Sequence, residues 1–208
     1  MKIIVGIATM NGREEQLKET FESLCPYVDE INIYHNGIEP IDYTDNAKFE
    51  SLQRYNEPIY FFSCDDDIIY PKNYISKTIE LIEEYKCIIT YHGRILKGKG
   101  LNYYKGHQAF HCKGANYVNR YIDIAGTGVT AFRTDYFNPI ELYKSEYKRM
   151  FDLVFSLEAK KQGKKILLGK HDANWIKVQN IPLENTIYGM EVKDCSIQNS
   201  LADEILSY

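Results

Sequence analysis

Four short apolar runs, Lys2–Ala8, Glu30–His35, Pro58–Cys64 and Cys87–Tyr91, alternate with segments whose apolar residues recur at helical spacing. Runs rich in β-branched and aromatic residues fit a pleated surface covered on both faces. The segments between them are long enough for crossover helices. Glu14–Leu24 places Leu17, Phe21 and Leu24 on one face, with acidic residues in its first turn and Cys25-Pro26 at its end. Asp45–Tyr55 turns Ala47, Phe49 and Leu52 inward, and Pro71–Tyr85 aligns Tyr74, Ile75, Thr78, Ile79, Ile82 and Tyr85. Strand and helix in strict alternation predict right-handed crossovers and a mostly parallel central sheet, hence the α/β class.

The third run ends in a feature that stability alone does not explain. Pro58-Ile59-Tyr60-Phe61-Phe62-Ser63-Cys64 passes directly into Asp65-Asp66-Asp67, and Pro71 follows as the first turn of a helix. Three adjacent carboxylates repel one another. At the carboxyl end of a strand in an open α/β sheet they lie where such sheets bind ligands, and a divalent cation with a phosphate-bearing ligand is an economical reason to gather them. The plainer reading is a helix cap with solvated charge.

Beyond Tyr91 the pattern loosens. His92 to Tyr121 interleaves Tyr103, Tyr104, His107, Phe110, His111, Tyr117 and Tyr121 with polar residues and shows little periodicity, as functional loops do. Ile122–Phe132 resumes as strand around Gly126-Thr127-Gly128, where the glycines mark a bulge or a close backbone approach. Met150–Lys161 is helical by spacing, stopped by Gly163, and Lys165–Leu168 is a last short strand before His171-Asp172-Ala173-Asn174-Trp175. The tail is polar until a short amphipathic helix at Leu201–Leu206.

With 208 residues the chain is expected to form one domain. Residues 1–92 read as a nucleotide-binding half, 93–176 as an acceptor and catalytic half, and 177–208 as a tail. A net charge of -4 argues against a nucleic-acid binder, which usually carries a basic face. Five scattered cysteines without a C-x-x-C pair suit reduced thiols in a cytoplasmic protein better than a disulfide framework or zinc site. The N-terminal run is too short for a signal peptide and nothing has the length of a transmembrane helix.

Taken together, these residues resemble the GT-A fold glycosyltransferases, most nearly the inverting, family-two-like members. Asp65-Asp66-Asp67 after two βα units resembles their D-x-D motif, and Thr9-Met10-Asn11-Gly12-Arg13 resembles the loop that receives the nucleotide base. Gly126-Thr127-Gly128-Val129-Thr130-Ala131-Phe132-Arg133 is similar to the glycine-containing strand after the acceptor loop. Phe151-Asp152-Leu153 resembles the acidic motif that carries the catalytic base, and His171 with Asn174-Trp175 the position that closes the metal and diphosphate site. The similarity covers residues 1 to about 176. It departs at Tyr34-His35-Asn36-Gly37, where many relatives carry an acidic pair, and at Phe151, where many carry a glutamate.

The resemblance implies a GT-A-like, Rossmann-type α/β/α sandwich. It implies a metal-dependent hexosyltransferase that moves a sugar from a nucleotide-diphosphate donor, commonly uridine diphosphate, to an acceptor hydroxyl. Asp152 is then the catalytic base. Thr9, Asn11, Arg13, Asn36, Asp65 and Asp66 contact the donor, and Asp67, Asp65 and His171 bind Mn2+ or Mg2+, with Asp66 orienting the loop. The alternatives are a nucleotidyltransferase of similar fold, against which the loop at residues 9–13 argues because it is neither basic nor glycine-rich, and a non-catalytic glycan- or nucleotide-binding module. Each residue also has a local reading: Asn11 and Arg13 as cap and charge of the first helix, Asp152 as a first-turn acid, and His171 as a polar surface residue.

Overall fold

The computed structural model describes residues 1–181 and 195–208. Its frame is a seven-stranded sheet of β1 (Ile3–Met10), β2 (Glu30–Asn36), β3 (Tyr60–Asp65), β5 (Ile88–Thr90), β8 (Arg120–Ile122), β10 (Val129–Arg133) and β11 (Ile166–Leu168). The order is β2-β1-β3-β10-β5-β11-β8. β2, β1, β3, β5 and β11 run one way, while β10 and β8 run against their neighbours, so the sheet is mostly parallel. Strands from both halves of the sequence interleave in it. Two small sheets flank the main one: β4 (Ile68–Ile69) pairs with β12 (Lys177–Val178), and β6 (Gly93–Leu96) lies between β7 (His107–Phe110) and β9 (Ile124–Ala125).

Alternation along the strands builds the layers. In β1, Ile4 faces one core, and Val5 and Ile7 the other; in β3, Phe61 and Phe62 divide in the same way. Helices α1 (Glu14–Leu24) and α2 (Tyr74–Tyr85) cover the Val5 side. The opposite face is covered by the 3-10 segment Thr44–Arg54, α3 (Phe151–Lys161) and α4 (Ser196–Ile205). Phe49 sits there within 4.7–6.3 Å, ring to ring, of Phe61, Phe132, Phe151 and Phe155. Truncating one such ring to alanine costs roughly 3–5 kcal/mol. The 3-10 segment lies so close to β1 that a Cβ on Gly6 would stand 2.0 Å from the Lys48 carbonyl oxygen.

Several local expectations change. Pro71 does not start α2; it lies in the preceding turn, accepting from Tyr74 N–H at 2.8 Å, because Ile68–Ile69 first pair with Lys177–Val178. The stretch 122–132 is not one strand. The chain leaves β8, pairs as β9 in the small sheet, turns through Gly126-Thr127-Gly128 and re-enters the main sheet as β10. The loosely patterned segment after Tyr91 contains the β6–β7 hairpin. The tail helix is longer than its apolar end suggested, and the part of the tail at 182–194 lies outside the described residues. All five cysteines are free. Among the described residues no helix is long and apolar enough to cross a membrane.

Candidate active site

The aspartate triplet stands at the carboxyl end of β3, beside the ends of β1 and β2. Its backbone is clamped from two sides. Thr20 Oγ1 in α1 donates to the carbonyls of Asp66 and Ile68 at 2.9 Å each, and the Asp67 carbonyl accepts from Gln179 N–H at 2.8 Å, beside the β4–β12 ladder. A loop held this way presents its carboxylates in fixed directions.

Each carboxylate has a different partner. Lys48 Nζ contacts Asp65 Oδ1 directly, and the Lys48 side chain is only 6% exposed. Burial by itself would lower the lysine pKa, but the Asp65 carboxylate overrides it and drives the pKa upward. Thr9 Oγ1 donates to Asp66 Oδ2 at 2.7 Å, and Arg13 Nη1 lies 4.0 Å from Asp66 Oδ1 and 3.6 Å from Asp67 Oδ2. Burial raises the Asp66 pKa. It pushes Asp67 up to about 7, reinforced by the charges of Asp65 and Asp66 and opposed by Arg13 and Lys48. Asp67 therefore carries the least compensated charge in the triplet.

Asp152 reaches the same rim through the turn before β10. Its Oδ1 accepts from Thr127 N–H and Thr127 Oγ1, both at 2.8 Å. The next residue, Gly128, packs so tightly on the triplet that a Cβ there would stand 1.8 Å from Asp65 Oδ2. Two consecutive residues thus touch both proposed carboxylates. The start of α3 is held from another direction: Asp45 in the 3-10 segment accepts from the Arg149 and Phe151 N–H groups at 2.9 and 3.2 Å. Burial raises the Asp45 pKa, against the nearby Lys48. Lys48 lies within the electrostatic reach of Asp65, Asp45 and Asp152 together.

A second wall rises beside Asp152. Arg94 in β6 places Nη1 3.8 Å from Asp152 Oδ2 and its guanidinium carbon 5.3 Å from the Tyr103 ring centre. The His92 and His111 rings meet edge to face at 5.2 Å. Burial lowers the His92 pKa to about 4, with Asp152 pulling the other way and Arg94 and His111 adding to the drop. None of Lys48, Asp45, Arg94 or His92 was singled out from the sequence.

Of the expected donor contacts, Thr9, Arg13, Asp65 and Asp66 converge with Asp67. Asn11 is exposed in the loop, beside Gly37. Asn36 is spent on its own turn: its amide donates to the Thr44 carbonyl at 2.9 Å and its oxygen accepts from Tyr43 N–H at 3.2 Å, an arrangement that follows Gly37 at φ +96°. A cavity of about 250 Å³ opens at the ends of β1 and β2, lined by Thr9, Met10, Leu17, Phe21, Ile33 and His35 together with the charged Glu14 and Lys18. Buried His35 Nδ1 has no hydrogen-bond partner among the described residues.

His171 does not join the triplet, and it is not a surface residue either. It is buried, packed against Tyr91 and Trp175 at 5.6 and 6.0 Å, with Nδ1 facing the Gly169 carbonyl at 2.9 Å and its backbone paired with Asn116. Burial lowers its pKa, and the charges acting on it come from Lys77 and Asp172. Among the described residues no three His, Cys, Asp or Glu side chains converge as a metal-ligand set. The expected set of Asp65, Asp67 and His171 is therefore not assembled by the protein alone. The donors present still suit a hard cation completed by substrate, because Mg2+-like ions bind through one or two carboxylates plus phosphate oxygens and water. Asp67 and the second oxygen of Asp65 are the available pair.

No protein-family model and no curated protein matches the chain. Among solved structures it is similar to A197 from STIV, with a TM-score of 0.46 and 11% identity over 88% of this chain and 87% of that one. A likeness of that size carries no functional weight, so function rests on the geometry.

Proposed function

We propose that the protein is a metal-dependent, inverting glycosyltransferase that moves a sugar from a nucleotide-diphosphate donor to an acceptor hydroxyl. The observation that supports this most is the Thr127-Gly128 bridge, which sets Asp152 and the aspartate triplet side by side at the carboxyl rim of the sheet. A metal-held leaving group and a general base both have to reach one substrate, and this turn contacts both kinds of carboxylate through neighbouring residues. The cavity at Thr9 and His35 receives the nucleobase, since its exposed lining is largely apolar. Arg13 beside Asp66 and Asp67, and buried Lys48 on Asp65, hold the triplet's carboxylates in place.

Asp67 and Asp65 would hold Mn2+ or Mg2+, which when bound supplies charge neutralisation for a leaving diphosphate. Asp152 accepts the proton of the acceptor hydroxyl. Its Oδ1 is occupied by both Thr127 donors, so Oδ2 is the basic oxygen. Attack from the side opposite the departing diphosphate inverts the anomeric centre. Asp66, held by Thr9, keeps the triplet loop in register with β1.

A nucleotidyltransferase would need a basic loop after β1 for a triphosphate, and the charge of Arg13 there is directed at Asp66 and Asp67. A non-catalytic binding module has no use for a base oriented by two donors. The deciding experiment follows release of nucleoside diphosphate from a panel of nucleotide sugars with Mn2+ or with chelator. Metal-dependent release that disappears in Asp152→Asn and Asp67→Asn supports the transferase. Donor binding without release under any acceptor points to the binding module, and pyrophosphate release to the nucleotidyltransferase.

A further inference from the structure

The wall facing Asp152 carries a positive charge that the protein neutralises only loosely. Arg94 Nε and Nη1 are buried and make no hydrogen bond among the described residues. The one carboxylate paired with it among the described residues, on Asp152, stands 3.8 Å from Nη1, too far for a hydrogen bond. A desolvated guanidinium with idle donors is costly, so its retention points to a ligand that completes it. Its neighbours are suited to share that ligand. His92, His107 and His111 have pKa values lowered first by burial and further by Arg94, so each offers a neutral ring at neutral pH. Lys97 and Lys113 add positive charge beside His107 and His111. The Tyr103 ring centre lies 5.3 Å from the guanidinium carbon and its side chain hydrogen-bonds Arg94, and Gly126 leaves room for the His92 ring, where a Cβ would stand 2.7 Å from it.

We propose that Arg94, with His92 and His111, forms a subsite for a compact oxyanion on the acceptor, a phosphate ester or a sugar carboxylate. The guanidinium fork matches the planar or tetrahedral oxygens of such groups and holds them in one orientation. An acceptor anchored there sets its hydroxyl against Asp152 Oδ2, the oxygen left open by Thr127. This assignment rests on the transferase reading for its role, though not for the binding itself. It gives that reading a substrate class: acceptors that are themselves acidic.

The test titrates metal-free, donor-free protein with glycerol 3-phosphate, glucuronate, inorganic phosphate and glycerol. Ring signals of His92 and His111 are followed by NMR, and the thermal midpoint in parallel. At least one anion should perturb both histidines and bind about tenfold or more tightly than glycerol. The best of the three tells whether an ester, a carboxylate or free phosphate is the natural chemistry. Arg94→Gln should weaken that anion about tenfold, and Arg94→Lys, which keeps the charge without the fork, by less. If Arg94→Gln does not fold, His111→Gln takes its place, with the same weakening expected. Asp67→Asn should leave anion binding unchanged. The proposal falls if no anion exceeds glycerol, if Arg94→Gln binds as wild type does, or if uridine diphosphate displaces the anion competitively, which would assign Arg94 to the donor. Should Asp152→Asn leave sugar transfer intact while anion binding depends on Arg94, the transferase mechanism fails and the subsite stands.

Discussion

The two sides of the rim solve opposite electrostatic problems. At the end of β3 three carboxylates crowd together, and the chain brings Lys48, Arg13 and Thr9 from other elements to hold them. Across the Thr127-Gly128 turn one guanidinium stands among three largely neutral histidines with a single loosely placed carboxylate. The first side is acidic and braced; the second is basic and incomplete. A donor delivering a metal-bound diphosphate suits the first, and an acidic acceptor suits the second. Under the proposed function, opposite deficits on two walls would bring two ligands into one site without either wall recruiting the other's partner.

The contrast breaks most sharply at the base. Asp152→Asn should lower turnover by about 10²–10⁴-fold with donor affinity unchanged, measured as nucleoside diphosphate release under saturating acceptor. The bridge comes next. Gly128→Ala forces a methyl against Asp65 and should destabilise the fold by about 1–3 kcal/mol in urea denaturation while weakening Mn2+ binding. Lys48→Met leaves Asp65 without its counter-charge; because Asp65 is 39% exposed, a loss of about 2 kcal/mol is expected rather than the larger penalty of a fully buried pair. Adding Asp65→Asn to Lys48→Met should restore part of that stability, and a double-mutant cycle measures how much.

A pH series sharpens the acidic side. The folded pKa of Asp67, near 7, stands above its ordinary 3.8, so the folded state favours its protonated form. Stability from this group is complete below the unfolded value and is lost as pH rises toward 7. In the presence of chelator, wild type should lose stability across that interval, and Asp67→Asn should flatten the slope and be more stable by about 2 kcal/mol at pH 8. The smallest effect is expected at His171. Its imidazole lies in the core against Tyr91 and Trp175, so His171→Asn should change Mn2+ affinity by no more than about twofold, where loss of a true ligand or its support costs about 10–100-fold. Calorimetric titration of Mn2+ with a nucleoside diphosphate present separates the two.

How far the sequence carries differs across the same divide. The triplet and its strand were legible because three aspartates directly after a buried β-run fit a strand end at a sheet rim, and α1 has the observed bounds Glu14–Leu24 because its acidic start and apolar spacing agree. Lys48 was not legible. A lysine among Ala47, Phe49 and Leu52 reads as a solvated charge, yet the 3-10 segment buries Asn46 through Phe49 together. Its signal lay in Gly6, the bare patch on β1 that lets the segment approach. Arg94 and His92 were hidden because a hairpin of two four-residue strands of mixed polarity, with His92 just ahead of the first, gives no clear period. The packing of His171 was not legible because a histidine between a strand and a tryptophan looks the same in sequence whether it faces a metal or a core.

The reversed direction of β10 has a consequence for what this edge of the molecule contributes. Parallel strands reach the rim only as they leave the sheet. β10 enters there, so the residues before it, Gly126, Thr127 and Gly128, approach the rim ahead of a strand. That approach delivers a backbone N–H to Asp152 and two side-chain-free positions where His92 and Asp65 need space. One strand laid backwards makes the rim a junction, where three consecutive residues of chain meet His92 on the basic wall and Asp65 on the acidic one.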